Sequence, residues 1–311
     1  MAFDLMPDRS IANERDRLLP DRHPQQDFFV ADILDSSPKD DIASMEHPVF
    51  ALKAGDKRIR RYERNGQRVE VQPGAKGAAT IHDKDVWIYC ISQLVEGLNR
   101  DRQDCGRIVH FTAYSFLMAT NRGTSGDSYI RLADALERLR GTSIVTNITT
   151  CGHRERNGFG LIDSFRIVER SPTDDRMIAV SVTLPDWLYR SVQAKQVLTL
   201  SRDYFRLRKP LDRRIYELAR KHCGSQPKWR VSMQVLHAKS GSTSPLAKFR
   251  MNIKALVASN VLPDYRMTWD ETADSMTFYA RGAKGSMAQI SDILASTKPK
   301  GGMKYGRSSR S

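Results

Sequence analysis

The sequence predicts an α+β fold of two domains that repeat one order of helices and strands. Between residues 83 and 184, the hydrophobic pattern alternates as helix, strand, helix, turn, helix, strand, loop, strand. The same order returns between residues 211 and 280. It is typical of a winged helix, in which the third helix is the recognition helix. We therefore expect tandem winged-helix domains related by a weak internal repeat, since the aligned halves share few identical residues.

Composition divides the chain into four parts. Residues 1–50 are rich in proline and charge and predict an N-terminal arm, which either packs loosely on the first domain or docks a protein partner. Residues 51–195 form the first predicted domain, which begins with a hairpin whose Asn65-Gly66 pair suits a tight turn. Residues 196–282 form the second. Residues 283–311 lose periodicity and predict a basic disordered tail.

The elements of the first domain follow from their periodicity and end signals. The predicted helices cover 83–99, 113–120 and 129–140, and the predicted strands cover 107–111, 143–149, 160–168 and 177–184. Thr112 is expected to cap the second helix. Asp83 and Asp85 suit a helix start better than a metal site, because carboxylates are favourable at a helix N-terminus. The basic, Gly-rich loop at 151–158 is interpreted as the wing.

The second domain begins with the most informative stretch of the chain, residues 199–224. Pro210 and Gly224 bracket a predicted helix over 211–223 with one apolar face. Eight basic and three acidic residues between 202 and 221 suggest a scaffold helix near phosphate, so Arg206, Arg208, Arg213 and Arg214 are expected to contact DNA. Residues 205–209 alternate apolar and basic side chains, as an extended edge would. The remaining elements are helices over 233–240 and 245–258 and strands over 229–232, 264–269 and 275–280.

Two predicted recognition helices supply the candidate base contacts. Such helices use Arg, Lys, Asn and Gln to bind base edges in the major groove. In the second domain the candidates are Lys248, Arg250, Asn252 and Lys254, and in the first they are Arg131, Arg138 and Arg140. Because acidic residues dilute the charge of the first helix, we expect the second domain to determine sequence preference. The first would then contribute phosphate contacts or dimerisation.

The bulk composition favours a nucleic acid partner. The 50 basic and 36 acidic residues give a net charge of +14 and a pI of about 9.8, and a basic chain of this size usually binds a polyanion. No run of 18 apolar residues and no secretory signal is present, so we expect a cytoplasmic protein, associated with plasmid or nucleoid DNA, with no membrane partner. The four scattered cysteines are expected to be free thiols.

No motif for catalysis, a cofactor or a metal is present. The sequence lacks the glycine-rich loop of ATP-binding proteins. Its seven histidines form neither an H-x-H pair, which a rolling-circle nicking enzyme would need, nor an H-E-x-x-H motif. We therefore expect no cofactor, no metal and no enzymatic activity.

Several long segments resemble the plasmid replication-initiator protein A family. These segments are residues 19–29, 45–50, 79–85, 88–94, 158–163 and 208–224, and the likeness covers roughly residues 18 to 282. The Leu-x-x-Arg-Ile-Tyr-Glu-Leu pattern at 211–218 is also similar to the second domain of iteron-binding plasmid initiators, which are built from two winged helices. The resemblance implies that tandem architecture.

The resemblance further implies an initiator that binds repeated origin sites in double-stranded DNA. Such a protein would help to open the DNA and recruit host replication proteins, and it could act as a monomer or a homodimer. A two-domain transcriptional repressor is the alternative, because it shares every binding feature. Strand opening and helicase loading leave no motif in the sequence, so the sequence does not separate the two.

Overall fold

The computed structural model describes residues 18–19, 39–64, 67–100, 106–147, 157–171 and 174–297. The helices in these ranges are α1 (Ile42–Glu46), α2 (Lys84–Asn99), α3 (Ala113–Ala119), α4 (Gly126–Gly141), α5 (Asp186–Gln193), α6 (Pro210–Cys223), α7 (Met233–Ser240), α8 (Leu246–Ser259) and α9 (Ala283–Thr297). The strands are β1 (Lys39–Asp41), β2 (Arg60–Arg64), β3 (Gln67–Gln72), β4 (Ile108–Thr112), β5 (Ser143–Thr146), β6 (Asn157–Gly160), β7 (Ser164–Ser171), β8 (Asp174–Thr183), β9 (Val197–Thr199), β10 (Lys228–Ser232), β11 (Tyr265–Asp270) and β12 (Ser275–Ala280).

The two halves share one topology. In the first, the order α2, β4, α3, α4 leads to a three-stranded antiparallel sheet in which β8 lies between β4 and β7. In the second, the order α6, β10, α7, α8 leads to a sheet in which β12 lies between β10 and β11. In each half the last strand therefore pairs with the first, and the third helix of the set precedes the closing hairpin.

The first half contains a second sheet. The strands β2, β3, β5 and β6 form it in that order, and Val71 pairs with Ile144 across its centre. The predicted hairpin over 57–71 is confirmed by β2 and β3, while its turn at 65–66 lies outside the described residues. The strand predicted at 143–149 is present as β5, which pairs with β6 across the loop predicted as the wing and also pairs with β3. Most of the loop predicted as a wing, 151–156, also lies outside the described residues.

Two hydrophobic cores hold these layers together. In the first, α2 is central and buries Trp87 and Ile91 completely. In the second, α6 buries Ile215 and Leu218 completely. Burying side chains of this size stabilises a fold by about 1.5–3 kcal/mol each. Pro210 at the first turn of α6 and Gly224 after its end, with φ of 52°, confirm the predicted helix limits.

Residues 39–50 are integrated into both halves. Strand β1 pairs antiparallel with β9, the segment that connects the halves. Helix α1 packs on α6, Met45 enters the second core, and Phe50 enters the first. The prediction of a loosely attached arm is therefore wrong for this segment, whereas residues 1–17 and 20–38 lie outside the described residues.

The start of the predicted C-terminal tail is helical. Residues 283–297 form α9, which packs on β12, and Asp292 accepts a hydrogen bond of 2.8 Å from the Tyr279 hydroxyl. The prediction of disorder is thus wrong for this part. The strand β12 was predicted from the sequence, but the packing of residues 283–297 against it was not. The basic residues from 298 onward lie outside the described residues.

Candidate nucleic-acid interface

Helix α8 presents a basic face to solvent. It forms because Phe249, Ile253 and Leu256 recur at helical spacing and pack into the second core. Its sequence contains three basic residues and no acidic residue. Among the predicted residues, Lys248, Asn252 and Lys254 are exposed. The intervening Met251 is also 63% exposed, an apolar contact of the kind that suits a thymine methyl group.

Arg250 lies at the edge of this face and is held by the turn between β11 and β12. Its Nε donates to Oδ1 of Asp274 at 3.0 Å, and its Nη2 donates to Oδ2 at 2.6 Å. The hydrogen bond to Arg250 lowers the pKa of Asp274, and the same bond raises the pKa of Arg250. Arg250 therefore reaches the surface already oriented by a carboxylate.

Helix α4 occupies the same topological place in the first half, but its charge is balanced. It contains three basic and three acidic residues, so its net charge is zero. Arg131 and Arg140 are exposed as predicted. Arg138 is instead held by Asp83, with Nε to Oδ2 at 2.7 Å and Nη2 to Oδ1 at 2.8 Å. A helix of this composition attracts a polyanion less than α8 does.

Arg213 and Arg214 do not face solvent. They are 4% and 2% exposed; Arg213 points into the contact between the halves, and Arg214 points toward α1 and α7. Nη1 of Arg213 donates to Oδ1 of Asp85 at 2.5 Å, and its Nε donates to the Leu207 carbonyl at 3.0 Å. The prediction that these guanidinium groups contact phosphate is therefore wrong.

Arg214 donates to backbone carbonyls in the last turns of α1 and α7. It donates to the carbonyls of Met45 and Lys239, each at 2.9 Å, and to Oε2 of Glu217 at 3.1 Å. Buried backbone carbonyls need such donors. Arg214 thereby joins α1 and α7 to α6, which is a structural role.

A buried ion cluster continues this contact. Nζ of Lys84 lies 2.6 Å from Oδ2 of Asp40 and 3.1 Å from Oε1 of Glu217, and all three side chains are fully buried. The Tyr204 hydroxyl donates to the same Glu217 oxygen at 2.8 Å. Buried charges are tolerated only when paired and hydrogen-bonded in this way. Glu217 belongs to the stretch that was predicted to lie near phosphate. Through Lys84 it instead links the second half to the first half and to the N-terminal strand β1.

Arg206 and Arg208 differ in their surroundings. Residues 202–206 form a 3₁₀ helix, so the extended edge predicted over 205–209 is wrong for Phe205 and Arg206. Arg206 donates to the Leu19 carbonyl at 2.7 Å and to Asp203 at 2.8 Å. Arg208 is exposed and lines a cleft of about 560 Å³ between the halves, which Arg131 of α4 also lines.

A second cleft adds a residue that sequence reasoning missed. It has a volume of about 380 Å³ and is lined by Asn252 of α8, Lys209 and Lys53. Lys53 comes from the loop before β2 and is exposed. A single lysine in a polar loop carries no signal in the sequence. The fold alone brings it to the flank of α8.

Similarity to known proteins identifies the family of this chain. The model of the family described as Replication initiator protein A matches residues 39–267. The chain belongs to this family. A protein from Wigglesworthia glossinidia brevipalpis described as "Putative replication protein" is 44% identical over 258 residues, which is 82% of this chain and 94% of the relative.

Two solved structures share the fold of this replication initiator. Both are crystal structures of domains 2 and 3 of RctB, one of them determined with selenomethionine derivatives. The selenomethionine structure has a TM-score of 0.55 at 10% identity and covers 78% of this chain and 98% of that one. The other has a TM-score of 0.52 at 9% identity and covers 79% and 99%.

The family match extends from β1 to within β11. It therefore includes the strand β1 and helix α1, which the sequence had assigned to an arm, and it includes both α4 and α8. Helix α9 lies outside it.

Within the described ranges of the initiator, no group of three or more His, Cys, Asp or Glu side chains is placed to hold a metal ion. Every helix in those ranges is too short or too polar to cross a membrane. Cys90 and Cys223 are free and buried, and burial raises the pKa of both thiols.

Proposed function

We propose that this replication initiator acts on a plasmid and binds double-stranded DNA sequence-specifically at repeated origin sites. The observation that carries the proposal is the outward face of α8, a helix that contains no carboxylate of its own. This face exposes two lysines, a methionine and an asparagine, which are Lys248, Lys254, Met251 and Asn252. These groups can bind base edges, thymine methyl groups and phosphates. Membership in the family supports a role in replication.

We assign a winged-helix fold to each half. The shared strand order, with the last strand of each sheet between the other two, supports this assignment. The positions of the third helices support it as well. Helix α8 directly precedes the β11–β12 hairpin, and α4 precedes the β7–β8 hairpin with only β5 and β6 between them. In a winged helix the third helix enters the major groove and the hairpin that follows lies near the backbone.

In this proposal the two halves have different roles in DNA binding. The second domain determines the preferred sequence, since α8 is basic and free of acidic residues. The first domain positions the duplex, since α4 has no net charge and its Arg138 is bound to Asp83. Arg131 and Arg208, which line one cleft, contribute phosphate contacts there.

The activity needs no enzymatic step. Binding energy from two domains can favour a deformed origin, because DNA distortion costs roughly 1–10 kcal/mol and extra contacts offset it. Host replication proteins are then recruited to the opened site in the cytoplasm. This scheme requires neither a metal nor a nucleotide. Homodimerisation would add a second state of the protein that regulates its activity.

Footprinting beside the coding region tests the proposal. We expect protection of direct repeats of about 20 base pairs, a spacing of two helical turns that two domains can span. Protected repeats that support plasmid replication in cells would agree with an initiator. Protection of a lone inverted repeat at the promoter, with replication unaffected by loss of the protein, would instead show a repressor.

A further inference from the structure

The turn between β11 and β12 carries three carboxylates that each contact a basic side chain. Asp270 pairs with Arg230 at 2.8 Å, Glu271 pairs with Lys254 at 3.2 Å, and Asp274 pairs with Arg250 at 2.6 Å. Among these, Glu271 and Asp274 contact α8. The Lys254 and Glu271 side chains are each 68% exposed, whereas Arg250 and Asp274 are each 37% exposed. The Arg250–Asp274 pair is therefore the more enclosed contact between the turn and the recognition helix.

This pair uses only one edge of the guanidinium group. Asp274 accepts from Nε and Nη2, which form the side edge of the fork. A guanidinium group has five N–H donors in fixed geometry. The end edge, formed by Nη1 and the second hydrogen of Nη2, therefore keeps two parallel donors, which is the arrangement that binds O6 and N7 of guanine.

The backbone holds Asp274 in place for this contact. Its φ is 43°, in the left-handed region that few residues other than glycine, asparagine and aspartate adopt. Its carbonyl accepts a hydrogen bond of 2.8 Å from the Met233 amide, and the next residue, Ser275, pairs with Ser232 in the sheet. The carboxylate is thus attached to the rigid start of β12, so it can fix a long side chain that would otherwise sample many rotamers.

We propose that Asp274 is a positioning residue that orients Arg250 to bind a guanine edge, so that the turn helps to determine sequence preference. The inference rests on the proposed function of α8 as the recognition helix. Asp274 itself carries a charge of the same sign as the phosphates. Its role is therefore orientation, since direct attraction to DNA is ruled out by sign.

A binding-site selection with full-length variants tests this role. Asp274→Gly removes the carboxylate and keeps the positive φ without strain, and Asp274→Asn keeps one acceptor. Asp270→Asn is the matched control, because it removes the same charge from the same turn, and Asp270 pairs with Arg230 of β10 rather than with α8. Thermal unfolding of each variant shows that the fold is retained.

We expect Asp274→Gly to relax preference at the base position that Arg250→Ala relaxes. Its affinity for the selected site should fall by up to about 5-fold, the scale of an exposed ion pair. Asp274→Asn should lose less, Asp270→Asn should keep the preference, and Asp274→Gly should have no further effect in an Arg250→Ala background.

Two other results would overturn the inference in distinguishable ways. If Asp274→Gly raises affinity for all sequences equally and keeps the selected site, Asp274 only repels phosphate, and the proposed function stands without the positioning role. If the wild-type chain selects no sequence, the proposed function itself fails and the positioning role fails with it.

Discussion

Two arginines of α6, Arg213 and Arg214, have structural roles rather than the DNA contacts that the sequence suggests. The charged positions of α6 predict a solvent-exposed face, but Arg213 is buried against Asp85, which lies 128 residues away in the sequence. A helix that is covered on several sides by distant segments cannot be recognised from its own periodicity. The exposure of Lys248, Asn252 and Arg131 was predicted correctly from the sequence, because each of their helices packs against one core.

Replacing Arg213 should therefore weaken the fold. We expect Arg213→Ala to lower the free energy of unfolding by about 3 kcal/mol, the low end for a broken buried pair, because Arg122 still bonds Asp85 at 2.7 Å. Urea denaturation measures the change. Arg208→Ala, an exposed arginine nearby, is the control and should stay within about 0.5 kcal/mol of wild type. Equal stability of the two variants would show that the Arg213 ion pair contributes little.

His82 makes stability depend on pH. Burial, followed by the charge of Arg213, lowers the pKa of His82 to about 4 from the usual 6.5. Between these values the unfolded chain binds a proton that the folded chain does not, so stability is lost as pH falls. We expect wild type to lose about 2 kcal/mol between pH 7 and pH 5 through this residue. His82→Gln should lose correspondingly less in denaturation at the two pH values, and an unchanged pH slope would contradict the assignment.

Whole elements were predictable where the chain is amphipathic and where residues that favour the start or end of a helix or strand flank the segment. Helix α7 and strand β12 begin and end at the predicted residues, and Ser232 caps α7 by accepting from the Val235 amide at 3.3 Å. Strand β1 was missed because three residues carry little periodicity, and α5 was also missed although Leu188 and Val192 bury one face of it. The sheet to which β5 belongs was also missed, since strand pairing is decided by distant partners.

The C-terminal segment beyond α9 should contribute charge without sequence preference. Residues 298–311 contain five basic residues and no acidic residue. Deleting them should make the dependence of log K on log salt shallower, by up to about 0.9 for each phosphate that they neutralise. The selected sequence should stay the same. Fluorescence anisotropy across a salt series measures the slope, and a changed sequence preference after deletion would assign these residues a specific role in recognition.

At the scale of the molecule, the two halves are joined by buried charges. The cluster of Lys84, Asp40 and Glu217, with Arg213 and Asp85 beside it, crosses the contact between them. Such clusters require fixed geometry to offset the cost of desolvation. The relative position of α4 and α8 is therefore part of the fold, as the proposed placement of both helices on one duplex requires.

The tandem order of elements followed from the sequence because each half repeats the same hydrophobic pattern. The way the halves meet did not, because it depends on side chains such as Lys84 and Glu217, which come from different elements and look like surface residues in isolation. The same reason explains why Asp274 was overlooked: only the fold places the β11–β12 turn beside Arg250.

Binding-site selection on wild type, Arg250→Ala and Arg131→Ala tests the central claim that α8 determines sequence preference. We predict that Arg250→Ala relaxes one base position and weakens specific binding by about 1–3 kcal/mol. Arg131→Ala should weaken binding to all sequences nearly alike, because phosphate contacts carry no base information. A shifted selected sequence for Arg131→Ala, with an unchanged one for Arg250→Ala, would contradict the claim and assign recognition to the first domain.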